Sequence, residues 1–266
     1  MSPDLPPLDE AVELAQGVAG VFSHLTGGTY GEPARSECEA GETLVAEGLG
    51  NPVAFAHVVI DWYAGATGDL LHGAGEMSHD HYNLVFSSAA LARSACEYAG
   101  IGWWLAEPGV PVQIRVARTA WLVDKSFREA KALPVPDEFQ DFEARNTILL
   151  TWARKNTSAK EKLPGPTARF EAMNPYHGKA NYAYYSMLAH GNLITTGNLI
   201  NGQLTDRTQQ IPDFWWRIVL ACAQALNLAT RISDLRDRKP NELVRMYGLQ
   251  RQYSALMDEY AASGGA

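Results

Sequence analysis

The chain is patterned for helices almost throughout. Over 8–24 the apolar residues Val12, Ala15, Val18, Ala19 and Phe22 recur at spacings of three and four, which gathers them on one helical face, and Gly27-Gly28 ends the run. A Gly/Glu-rich stretch over 29–50 holds a weaker helix near 37–46. Asn51-Pro52 reads as a helix start, with asparagine to cap and proline preset for the first turn. The helix that follows carries Phe55, Val58, Val59, Trp62, Leu70 and Leu71, and Gly73 and Gly75 predict its end. Further helices are expected over 79–105, closed by Glu107-Pro108-Gly109, and over 112–131, opened by Pro111. Pro134 and Pro136 mark a linker before a helix over 137–156, and the polar 157–166 reads as a mobile loop. A short helix from Thr167, a tyrosine-rich one over 178–199, a long apolar one over 212–233 and a last one over 240–261 complete the chain. Strand alternation is nearly absent. The expectation is an all-α multi-helix bundle of roughly eight to ten helices with no sheet. In it, 1–50 supplies N-terminal helices and 51–266 the main bundle, around one continuous core.

Composition narrows the function classes. With 46% hydrophobic and 20% charged residues, the 266-residue chain can build a real core, which excludes a disordered protein. The net charge of −8 argues against general attraction to nucleic acid or anionic lipid. Cys38, Cys96 and Cys222 lack metal or disulfide spacing and fit a reducing, cytoplasmic compartment. No apolar run of about eighteen residues suggests a membrane span, and residues 1–7 do not read as a signal peptide. Dinucleotide, phosphate-loop, nucleophile-elbow and zinc-protease motifs are missing, so no cofactor is implied.

Four constellations carry ionisable groups into helices that otherwise read as core. Arg93 and Glu97 are one turn apart among small residues, as a charged pocket floor or an internal salt bridge. Arg115 and Arg118 share a stripe after Pro111; they can grip a carboxylate or phosphate, or pair with Glu97, Glu107 or Asp124. Tyr182, Ser186 and His190 line one face of the tyrosine-rich helix, with Tyr184 turned toward a neighbouring wall; His190 is the acid/base candidate. Glu76-x-x-His79 has the spacing of half a carboxylate-bridged metal site, with His57 and Asp61 as further donors, or else belongs to a polar loop. Trp103, Trp104, Trp121, Trp152, Trp215 and Trp216 fill the core or wall a flat ligand. The charged run 231–239 reads as a solvated helix end with internal pairs.

Together, Arg93 to Glu97, Trp103 to Gly109 (Trp-Trp-Leu-x-x-Pro-Gly), Arg115 to Arg118 and Tyr184 to Gly191 resemble the motif order of a group of bacterial all-helical proteins of unknown function, loosely HEPN-like. The resemblance covers about residues 50–200 and implies an RNase of a toxin or defence system as one reading. HEPN nucleases place an arginine five to seven residues before the histidine, where this chain has Ala183, Tyr184 and Tyr185.

The expectation drawn from the residues is a single internal pocket for an anionic small molecule or nucleotide. Arg93, Arg115, Arg118 and Trp104 would bind it, and His190, Glu97, Tyr184 and Ser186 would supply acid/base chemistry. Other readings are the HEPN-like RNase, a carboxylate–histidine metal enzyme at Glu76 and His79, and a non-catalytic scaffold that self-associates as a homodimer.

Overall fold

The computed structural model describes residues 8–26, 31–42, 50–79, 85–130, 140–157, 161–175, 178–189, 211–236 and 240–262. Among them are ten helices and no strand: α1 (Leu8–Leu25), α2 (Glu32–Glu42), α3 (Pro52–His79), α4 (Val85–Leu105), α5 (Val112–Ala130), α6 (Gln140–Asn156), α7 (Pro166–Met173), α8 (Gly178–Ala189), α9 (Ile211–Leu235) and α10 (Pro240–Ala262). The all-α bundle expected from the 3.6-residue period is what forms.

Asn51 caps α3: its Oδ1 accepts from the N–H groups of Val53 at 3.0 Å and Ala54 at 3.1 Å. The helix does not stop at Gly73 and Gly75 but continues to His79. Both glycines lie against neighbours. A Cβ on Gly73 would meet Leu91 of α4 at 3.3 Å, and one on Gly75 would meet Ala15 of α1 at 3.5 Å. Packing on both sides outweighs the local cost of glycine in a helix.

α3 and α4 form an antiparallel hairpin. The Ser78 and Ser88 hydroxyls meet at 2.7 Å at one end of the pair, and the Tyr63 and Tyr98 rings lie 5.5 Å apart farther along. α1 and α9 pack against this hairpin. Leu14, Val18 and Phe22 of α1 share one core with Ile60 and Leu71 of α3, Ala92 and Ala99 of α4, and Cys222, Ala225, Leu228 and Ile232 of α9. The division at residue 50 is therefore not a structural one, because α1 is built into the centre. The 19-residue stretch Arg217–Leu235 is long and apolar enough to cross a membrane, yet 78% of it is buried inside the protein, as a core helix is. A second, smaller cluster joins Val53 to Val116, Ala117 and Ala120 of α5 and to Leu149, Leu150 and Ala153 of α6.

The closeness of α1 and α3 depends on Gly68. A Cβ there would stand 2.9 Å from Cβ of Phe22 and 3.4 Å from the Ala19 carbonyl oxygen, whereas one on Gly65 would meet nothing nearer than Thr26 at 3.9 Å. Gly68→Ala should destabilise the protein by about 1–3 kcal/mol through overpacking. Gly65→Ala should stabilise it by about 0.5–1 kcal/mol through helix propensity. Paired urea melts of the two variants check both signs.

Candidate functional site: a cavity beside the end of helix α4

The arginines selected from the sequence come together at the C-terminal turn of α4, where the last carbonyls of a helix have no intrahelical donor. Arg115 Nη1 donates to the Leu105 carbonyl oxygen, and its Nη2 donates to that of Glu107 at 3.1 Å. Arg118 Nη1 donates to the Trp104 carbonyl oxygen at 2.8 Å. Arg231, from α9, donates through Nη1 to the Trp103 carbonyl oxygen at 2.6 Å and lies over the Trp103 ring. Burial pushes the Arg231 guanidinium down to about 10, with Glu107 opposing and Arg118 adding to the shift. The turn beyond needs Gly109, whose φ is +71°. Three cations thus sit on the negative end of the α4 dipole.

Each clamp arginine of α5 also has a carboxylate. Arg115 is fully buried and grips Glu37 of α2 in a bidentate pair, Nε to Oε2 at 2.8 Å and Nη2 to Oε1 at 2.9 Å. His57 Nε2 lies 3.1 Å from the same Glu37 Oε2. Burial pushes the Glu37 carboxyl up, but hydrogen bonds from His57 and Arg115 and the Arg115 charge together hold it below its ordinary value. Arg118 pairs with Glu107 at 2.6 Å and Glu161 at 3.0 Å, its guanidinium 4.9 Å from the centre of the Trp104 ring. With Nε and Nη1 of each bound to carbonyls and carboxylates, and Nη2 of Arg115 as well, Arg115 and Arg118 hold helices together, and neither lines the cavity described below. This corrects the expectation that they, with Trp104, bind a ligand.

The remaining candidates scatter. Arg93 and Glu97 pair with each other at 2.9 Å. The Tyr184 hydroxyl accepts from Arg217 Nη2 at 2.8 Å, and the Tyr185 hydroxyl donates to the Arg217 carbonyl oxygen at 2.6 Å, so the tyrosine-rich helix is tied to α9 rather than to α5. Ser186 is half-buried on α8, and His190 lies outside the described residues. Glu76 accepts from Gln16 Nε2 at 2.7 Å. His79 is the last residue of α3, its side chain outside the described set, and no group of three metal-ligating side chains occurs among the described residues. His57 and Asp61, the further metal candidates, face Glu37 and Arg236 instead. The run 231–239 is not a solvated end where it is described: Arg231 is on Trp103, and Arg236 is buried in an ion pair with Asp61 of α3.

What the sequence did not single out is a cavity of about 620 Å³ between α4, α5 and the start of α7. Its apolar wall comes from Ile101, Trp121, Leu122, Leu163, Pro164 and Pro166; its polar groups are Glu97, Lys125, Arg128, Glu161, Lys162 and Arg169. The expected mobile loop supplies part of that wall. Its residues 161–165 are held at one end by the Glu161–Arg118 ion pair and at the other by a hydrogen bond from Arg169 Nη1 to the Pro164 carbonyl oxygen.

Arg169 is the unusual member. It is 5% exposed, yet among the described residues that bond to Pro164 is its single hydrogen bond, and its buried Nε has no partner there. No carboxylate among the described residues pairs with it. Burial pushes its guanidinium below the ordinary value, the nearby Glu97 charge opposing. Its side chain crosses α4 at Gly100, where a Cβ would come within 3.3 Å of Nε. Beside it, Gly165 is the N-cap of α7 with no side chain capping the helix, and Pro166 opens the first turn. The positive end of a helix dipole thus adjoins a buried guanidinium with donors to spare. A buried arginine without a carboxylate, aligned with no sequence motif, leaves only weak traces in the sequence: the Pro-Gly-Pro of 164–166 and an arginine one turn later.

Glu37 generates an acid-stability prediction. Its folded-state pKa lies below the ordinary 4.5, so its contribution is complete above pH 4.5 and is lost as pH falls through the lower folded value. Glu37→Gln strands the buried Arg115 charge and should cost about 3–5 kcal/mol at neutral pH. Urea unfolding of both proteins across the acid range should show the gap narrowing below pH 4.5; a gap independent of pH contradicts the assignment.

No family model, no curated protein and no solved structure matches the chain, so what the site can do follows from its own geometry.

Proposed function

We propose that this bundle binds a small organic anion with an apolar body in the cavity between α4, α5 and α7. The observation that carries the reading is Arg169, a buried guanidinium on the cavity wall with unspent donors and no carboxylate partner among the described residues. A buried charge without a counter-charge is costly, and an anionic ligand removes that cost. The volume of about 620 Å³ suits a small molecule. Ile101, Trp121, Leu122 and Leu163 offer an acyl or aryl body an apolar surface, which favours such a body over the polar sugar of a nucleotide. The uncapped start of α7 adds backbone donors for a carboxylate or phosphate head. Of the residues expected to do acid/base work, Glu97 lies on this wall, but Arg93 holds its carboxylate, and the reading is one of binding rather than of a catalysed step.

The test uses octanoate as probe and octanol as its uncharged counterpart, by calorimetric titration at low salt. Arg169→Met should weaken octanoate binding by about tenfold or more, the loss of a charge-assisted hydrogen bond, and leave octanol binding unchanged. Gly165→Asp puts a carboxylate at the α7 N-cap, where it should keep or raise the melting temperature while weakening octanoate. Equal octanoate affinity in wild type and Arg169→Met overturns the proposal.

A further inference from the structure

Resting on that reading, we infer that the ligand is charged at both ends: an apolar spacer with one anionic group on Arg169 and a second at the cavity rim, as in an α,ω-dicarboxylate. Depth sorts the cations of the cavity into two sets. Arg169, 5% exposed, is at the floor, as is Leu122, also 5% exposed. Lys125 and Arg128 are at the rim, their side chains 50% and 61% exposed, and Lys162 is exposed as well. The rest of the lining includes the apolar side chains of Ile101, Trp121, Leu122 and Leu163.

Charge within the cavity is unbalanced in a way that a single head group does not correct. Four cations line it against two carboxylates, and both carboxylates are engaged from outside, Glu97 by Arg93 at 2.9 Å and Glu161 by Arg118 at 3.0 Å. The carboxylates that pair with Lys125 and Arg128, Glu129 at 3.6 Å and Asp124 at 2.6 Å, are on their own helix and do not line the cavity. Exposed pairs one turn apart are weak and readily exchanged for another anion. Lys162 has no carboxylate partner among the described residues. A monoanion bound at the floor leaves this rim unanswered, and a second anionic group at the rim keeps its hydration while gaining the attraction of up to three cations.

The experiment compares octanoate with octanedioate, and decanoate with decanedioate, at fixed ionic strength, in wild type, Arg169→Met and the double variant Lys125→Gln/Lys162→Gln. Both rim lysines are on the surface, so the double variant should fold. At one of the two chain lengths the dicarboxylate should bind about threefold or more tighter than the monocarboxylate, the size expected of exposed ion pairs. The double variant should erase that advantage, bringing dicarboxylate and monocarboxylate affinities together. If dicarboxylates gain nothing at either length while monocarboxylate binding still depends on Arg169, the two-headed ligand is excluded and the single-headed one stands. If Arg169→Met changes neither series, both fail together.

Discussion

A helix of 21 residues ends at Leu105 with carbonyls that its own ladder cannot satisfy, and much of the surrounding architecture answers that deficit. Arg115 and Arg118 reach back from α5, and Arg231 reaches across from α9, to occupy the carbonyl oxygens of Trp103, Trp104 and Leu105. Burying those guanidiniums creates a second demand, for counter-charge, which Glu37 brings from α2 and Glu107 and Glu161 bring from the loops on either side. One unsatisfied helix end therefore fixes the positions of α2, α5, α9 and the segment 161–165. Taking away Glu37 leaves Arg115 as an unpaired buried charge, whereas Arg118 has two carboxylates.

The cavity is a by-product of that clamp. Arg118 holds Glu161, which draws the 161–165 segment against α5 and leaves a space over Trp121 and Leu122. Arg169 then closes the far side, its side chain laid across Gly100. The two clamp arginines of α5 have carboxylates, and Arg231 is seated on a helix carbonyl and the Trp103 ring; Arg169 has no carboxylate among the described residues, and of these four it is the one on the cavity wall. The contrast between answered and unanswered buried charge separates structural arginines from the candidate ligand anchor.

The helices were legible because apolar spacing and Pro/Gly punctuation are local signals, and Asn51-Pro52 and Pro111 start helices as written. Gly73 and Gly75 misled because their meaning is tertiary: they admit Leu91 and Ala15, which the sequence near them does not announce. The same limit governs the site. That Arg115 and Arg118 are buried and demand acceptors was readable from their apolar neighbours. Whether the acceptors would be a ligand or the end of α4 was not, since Glu37 is 78 residues from Arg115 in the chain and Glu161 is 43 from Arg118. Arg169 escaped notice because an arginine near a Pro-Gly-Pro turn is ordinary until its burial and missing partner are seen.

The account turns on whether an anion completes Arg169, and a crystal structure of the protein with bromodecanoate asks this directly, the bromine marking the tail by anomalous scattering. The account requires a carboxylate oxygen within hydrogen-bond distance, about 3 Å, of the Arg169 guanidinium, with bromine in the space bounded by Trp121 and Leu122. A carboxylate left in solvent, or bromine density outside the cavity, contradicts it.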